Sequence, residues 1–199
     1  MRIEFVPKVK GTITDIDIQS LKRGQTDVEP AVCLHLKVTQ SNHTLKMLDK
    51  NLLGFLYQKG QSAATQATLD GVPVVSDHPS LSPIAVALGA LNWDGEQTGS
   101  TLKIYQGVTG DQDIALADCT VRKVKIDPKE GGAVDFHLQV WTSDVDQEVI
   151  GALGVLKSLD RDIELVAAEP VNAKQRAIDD GAGDKQLTPA KALAKATGG

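Results

Sequence analysis

Apolar and polar positions alternate in two stretches of the chain, and after each the spacing becomes helical. Val32, Leu34, Leu36 and Val38 share one face of an extended run; Val134, Phe136, Leu138 and Val140 share the same face of another. Cys33, His35 and Lys37 occupy the opposite face of the first run, and Asp135, His137 and Gln139 that of the second. Alternation of this kind marks half-buried antiparallel strands. Val, His, Leu and Val recur between the runs at a constant offset of 102 residues.

The likeness extends to both sides. Thr12-Ile13 and Ile16-Asp17-Ile18 match Thr120-Val121 and Val124-Lys125-Ile126 at an offset of 108. In each copy the apolar phase flips: Ile13 is out of step with Ile16 and Ile18, and Val121 with Val124 and Ile126. One extra residue in a strand swaps its faces, so β-bulges are expected near Thr14-Asp15 and Arg122-Lys123. A strand that simply ends there leaves the same pattern. Downstream, Leu53-Gly54-Phe55-Leu56 matches Leu153-Gly154-Val155-Leu156 at an offset of 100. Helices are predicted here. Thr44 caps a stripe of Leu45, Leu48, Leu52, Phe55 and Leu56, and Ser143 or Asp144 caps one of Val145, Val149, Ala152, Leu153 and Leu156. Gly54 and Gly154 point to close approach of helix and sheet. Ile3–Phe5 begins a strand that Pro7 interrupts, Thr101–Tyr105 takes the matching place in the second copy, and Asp162–Ala167 closes that copy.

The fold expected from this pattern is α+β, two pseudo-repeats of antiparallel strands with one helix each, the sheet packed on helices. Residues 1–75 form a first β-β-α repeat, 76–100 a linker, 101–167 a second β-β-α-β repeat and 168–199 a disordered tail. Within the connection, Gln61–Thr68 is small and polar, Ile84–Leu91 is apolar enough for burial, and Asn92-Trp93-Asp94-Gly95 reads as a turn. The tail lacks large apolar periodicity until Leu187, where Thr188 as cap and Pro189 at the first helical position start a short amphipathic segment. Leu187, Pro189 and Leu193 are its candidate partner motif.

Composition narrows the chemistry. The 199 residues carry a net charge of −5, which disfavours a generally basic nucleic-acid binder but leaves room for a local basic strip. Cys33 and Cys119, one in each half, read as small buried apolar residues. The N-terminus lacks the shape of a signal peptide, and no apolar run spans a membrane, so a cytoplasmic protein is expected. No Gly-x-Ser-x-Gly, phosphate-loop or dinucleotide fingerprint occurs, and Cys and His lack zinc-ligand spacing. Asp15/Asp17 and Asp144/Asp146 are more easily strand and cap decoration than a cation site. His35 and His137, being repeat-equivalent, read as structural. No catalytic residue, metal or cofactor is therefore expected, and the chain reads as non-enzymatic.

Basic residues offer one candidate surface. Arg122, Lys123, Lys125 and Lys129 form the densest cluster, with Lys8 and Lys10 in the first half. Laid along one face they would contact phosphates in a salt-sensitive way. A solvated surface explains the same lysines, and Trp93, Trp141, Tyr57 and Tyr105 are few for a stacking platform.

Asp118-Cys119-Thr120-Val121, Asp127-Pro128-Lys129-Glu130-Gly131-Gly132 and Ile150-Gly151-Ala152-Leu153 resemble a family of uncharacterised bacteriophage-encoded proteins. Leu91-Asn92-Trp93-Asp94 and Thr98-Gly99-Ser100-Thr101-Leu102 resemble its middle segment. The resemblance implies a phage origin and action in the host cytoplasm. The duplicated strand-strand-helix-strand order is also similar to that of sliding-clamp proteins, in architecture only. Together these imply an accessory protein that binds DNA or a protein of the replication or recombination machinery, with a second copy of itself as a further candidate partner and no membrane partner. Two alternatives are an inhibitor of a host defence or nuclease protein, which acidic charge suits as a DNA mimic, and a virion structural component.

Overall fold

Nine strands account for most of the described backbone. The computed structural model describes residues 2–23, 27–59, 79–107, 110 and 112–168. The tail, its Leu187-Pro189-Leu193 motif and the Gln61–Thr68 segment lie outside them. The strands are β1 (Phe5–Arg23), β2 (Asp27–Ser41), β3 (Tyr57–Gln58), β4 (Ser80–Leu81), β5 (Leu91–Trp93), β6 (Gln97–Tyr105), β7 (Ile114–Pro128), β8 (Ala133–Thr142) and β9 (Asp160–Val166). The helices are short: α1 (Leu52–Leu56), α2 (Pro83–Leu88) and α3 (Gln147–Gly154).

Six strands close on themselves as an antiparallel barrel, in the order β1-β2-β8-β7-β6-β9 and back to β1. β5 continues the place of β6 along β7, pairing Leu91 with Ile126 and Trp93 with Val124. This corrects the α+β expectation of sheets packed on helices. Closure leaves no sheet face for a helix to cover: the inward residues of all six strands fill the interior themselves. Val32, Leu34, Leu36, Val38, Val134, Phe136, Leu138 and Val140 are buried there with Ile13, Leu102, Ile104, Val121, Val124, Ile126, Ile163 and Leu165. Phe5 meets Phe136 edge-on across the interior, their centroids 5.7 Å apart.

The helical connections cap the barrel instead of layering on it. β2 and β8 run antiparallel, so the segments that follow them leave from opposite mouths. Leu45 and Leu56 join the core from one, Leu153 and Leu156 from the other. The expected helix from Thr44 is a 3-10 turn (Asn42–Met47) capped by Ser41, then α1. Asp146, not Ser143 or Asp144, caps α3 by accepting from the Val149 amide at 2.8 Å. A Cβ at Gly54 or Gly154 would meet nothing, so neither marks a close approach. Ile84, Val86 and Leu88 of α2 are exposed, contrary to the expected burial, and only Ala85 points inward. Asn92-Trp93 belongs to β5 rather than to a turn.

The two halves interleave in this one barrel. β1 carries a bulge between Ile13 and Asp15, β7 one between Arg122 and Lys125. Ile16 pairs with Leu34, and Ile126 with Phe136, the counterpart of Leu34. The first strands therefore correspond at an offset of 110, not 108, which puts the two bulges at equivalent places. β6 and β9 pair with each other, so β6 corresponds to β9 rather than to Ile3–Phe5.

Candidate functional site

Outward-facing residues of β1, β2, β8 and β7 form one polar wall whose rows are set by register. Thr12, Lys37, His137 and Lys125 make one row across the four strands, and Asp15, His35, Gln139 and Arg122 the next. Asp17, Cys33, Trp141 and Thr120 form a third. The halves of the wall differ in charge. Positions Asp15 and Thr12 of the first half correspond to Lys125 and Arg122 of the second, so the β7 side is basic.

Five lysines of the described surface are neutralised by a carboxylate. Lys8 reaches Asp162 at 3.5 Å, Lys37 Asp135 at 3.0 Å, Lys103 Asp113 at 3.1 Å, Lys129 Asp127 at 2.6 Å and Lys157 Asp15 at 2.5 Å. Arg122, Lys123 and Lys125 have no such partner among the described residues. Of the six basic residues singled out from sequence, these three come together on the wall. Lys129 is paired at the end of β7. Lys8 sits at the β1–β9 seam, 4.9 Å over the Tyr105 ring, and Lys10 lines a separate depression with Thr12, Lys37 and Asp160.

Arg122 extends over β8 to the Cys33 thiol. Its Nε is shut away from solvent and has no hydrogen-bond partner. Burial pushes the Cys33 thiol up, against the lowering pull of that guanidinium. Lys123 has φ +49°, the left-handed conformation that one type of bulge gives to glycine. For a residue with a Cβ this costs about 1–2 kcal/mol. Strain of this sort is concentrated at binding and catalytic sites.

Both histidines, read as structural from the sequence, belong to this wall. His35 Nε2 and Asp17 Oδ2 are 3.0 Å apart. Burial holds the His137 imidazole below its ordinary value, and Lys37 and Lys125 add to this while Asp135 and Asp127 oppose it. Burial pushes the Asp135 carboxyl up, but the Thr39 hydroxyl at 2.6 Å and the Lys37 ammonium outweigh it, leaving the group ionised to lower pH than usual. Thr14, His35, Leu36, Lys123, His137, Leu138 and Gln139 surround a shallow depression of about 150 Å³. The signal for it was present in the sequence as the histidine repeat. Two equivalent residues beside a twofold axis of adjacent strands share one site rather than making two.

Among the described residues no cluster of His, Cys, Asp and Glu is arranged to hold a metal ion, and no helix is long and apolar enough to cross a membrane. No family model, curated protein or solved structure matches the chain.

Proposed function

We propose that the protein is a non-enzymatic nucleic-acid-binding protein serving DNA replication or recombination, with the β2–β8–β7 wall as its contact surface. The observation that supports this reading is the grouping of Arg122, Lys123 and Lys125 on one wall, none with a carboxylate partner among the described residues, whereas Lys37 of the same wall and Lys129 at the end of β7 are paired. A cation paired on its own surface gives up that partner before it can take a phosphate; an unpaired one does not. Trp141 lies outward in the next row and is half-exposed, a face on which a base can stack. Its action in the cytoplasm of a bacterial host follows the resemblance to phage proteins.

The test is fluorescence anisotropy with labelled single- and double-stranded oligonucleotides over a salt series. Each phosphate contact contributes a slope of roughly −0.7 to −0.9 in log affinity against log salt. Three contacts should thus weaken binding about tenfold or more between ~50 and ~200 mM salt. The net charge of −5 opposes long-range attraction, so binding is expected to be weak. Arg122→Ala, Lys123→Ala and Lys125→Ala together should flatten the slope. Absence of binding at low salt sinks the reading and favours a protein partner.

A further inference from the structure

We propose that the depression between the two bulges is a subsite for one phosphate group of the bound strand, built by Thr14, His35, Lys123, His137 and Gln139. The proposal rests on the nucleic-acid reading of the wall and specifies where on it a phosphate is held.

Three observations carry it. The first is placement. Leu36 and Leu138 form the floor, and each copy puts its extra strand residue opposite them. Thr14 and Lys123 are the residues those bulges release, and both line the depression. Bulges commonly re-aim a side chain in this way beside functional sites.

The second observation is the donor set. Lys123 supplies an ammonium, His137 a ring nitrogen and Gln139 an amide, while His35 lines the depression beside them. No carboxylate lines the depression. Asp17 engages His35 from outside it, through Nε2, which orients the ring and commits its N–H, so His35 shapes the depression and is not counted as a donor. The Thr14 hydroxyl is already committed to the His35 carbonyl at 3.0 Å, so it fixes the bulge and is not counted as a donor. Burial keeps the His137 ring neutral to lower pH than usual, which leaves it one N–H to donate near neutrality.

The third is conformational. A lysine occupies the left-handed bulge position where glycine carries no steric penalty. The fold therefore retains strain at Lys123, and a lysine lining a carboxylate-free depression gives that strain a use.

The experiment compares the full chain with Lys123→Gly, Lys123→Arg and His137→Asn, binding a labelled thymidine oligonucleotide of about 15 nucleotides. Glycine accepts the backbone, so Lys123→Gly should melt at the same or a higher temperature. It should nevertheless bind about tenfold or more weakly, with the salt slope reduced by roughly 0.7 to 0.9. Lys123→Arg should restore most of the affinity, and His137→Asn should weaken binding at an unchanged salt slope. If Arg122→Ala and Lys125→Ala weaken binding while Lys123→Gly and His137→Asn do not, the subsite is overturned and the wall stands. If the unaltered chain binds no oligonucleotide, inorganic phosphate followed by imidazole NMR signals decides. His35 and His137 moving together while His43 stays still supports a site for free phosphate; no movement overturns it.

Discussion

Leu36 of β2 and Leu138 of β8 face each other directly across the ladder, and the pairs around them recur with their members exchanged. His35 faces Gln139 while Lys37 faces His137; Leu34 faces Val140 while Val38 faces Phe136. Where one residue of β2 faces the counterpart of a second, that second faces the counterpart of the first, the reciprocity of a twofold axis passing between the two leucines. The opposite wall of the barrel then has to be a pair of mutually equivalent strands, and it is β6 and β9.

The axial pair should be a shared anchor of both halves. Leu36 and Leu138 are 1% and 2% exposed. Leu36→Ala or Leu138→Ala alone is expected to cost about 2–5 kcal/mol in urea unfolding. Their cavities adjoin, so the double variant should depart from the sum of the singles by at least about 0.5 kcal/mol. Simple additivity would mean the two side chains do not share packing.

The twofold is broken at Gly11, whose counterpart by register is Val121. A Cβ on Gly11 would lie 2.6 Å from Ile163 Cδ1, and Ile163 is fully buried, with little room to swing aside. Gly11→Ala should therefore destabilise by about 1–3 kcal/mol through overpacking. Ile163→Val removes the clashing methyl at a cost of about 0.5–1.5 kcal/mol. The double variant should be more stable than the two costs added predict, as read from thermal melts; strict addition would place the clash elsewhere.

Local pattern carried the strands but not their closure. Alternation at Val32–Val38 and Val134–Val140 reports which side of a strand is dry, and the phase flips at Ile13/Ile16 and Val121/Val124 report the bulges. Neither reports that β2 lies beside β8, or β6 beside β9, because that register is set by contacts far apart in sequence. The Leu45–Leu56 stripe has helical spacing, yet only its ends are fully buried, while Leu48 and Leu52 pack partly buried against the core and Phe55 is exposed. A barrel mouth takes a few apolar side chains from a cap, whereas a sheet face takes a continuous stripe. The basic cluster was legible as charge density. Its separation from Lys8 and Lys129 was not, since Asp162 on another strand and the Asp127 geometry decide which cations are neutralised.

Both thiols should be inert in the native state. Burial pushes Cys119 up to about 12, and its Sγ lies 3.4 Å from the Leu116 carbonyl. Burial raises Cys33 as well. The thiolate is the reactive form, so a disulfide-exchange reagent at about pH 8 should label neither residue in a fast phase. Both should react rapidly in denaturant. A fast native phase would show that one strand edge opens without global unfolding.

The last prediction concerns the imidazole of His137. Burial, reinforced by Lys37 and Lys125 and opposed by Asp135 and Asp127, holds it below the ordinary value of 6.5. In the unfolded chain the ring takes up its proton near that value; in the fold it does so only at lower pH. Between the two, the unfolded state binds more protons, so stability contributed at this position falls as pH drops through about 6.5. The fall ends once the folded ring is also protonated. His137→Gln removes the titration while keeping a polar side chain on the wall, and groups common to both proteins cancel in the comparison. The stability of the unaltered chain relative to the variant should therefore decline from pH 7.5 to pH 5, measured as urea midpoints at several pH values between ~5 and ~7.5. A difference that stays flat, or grows toward acid, would show that the fold does not hold this ring neutral.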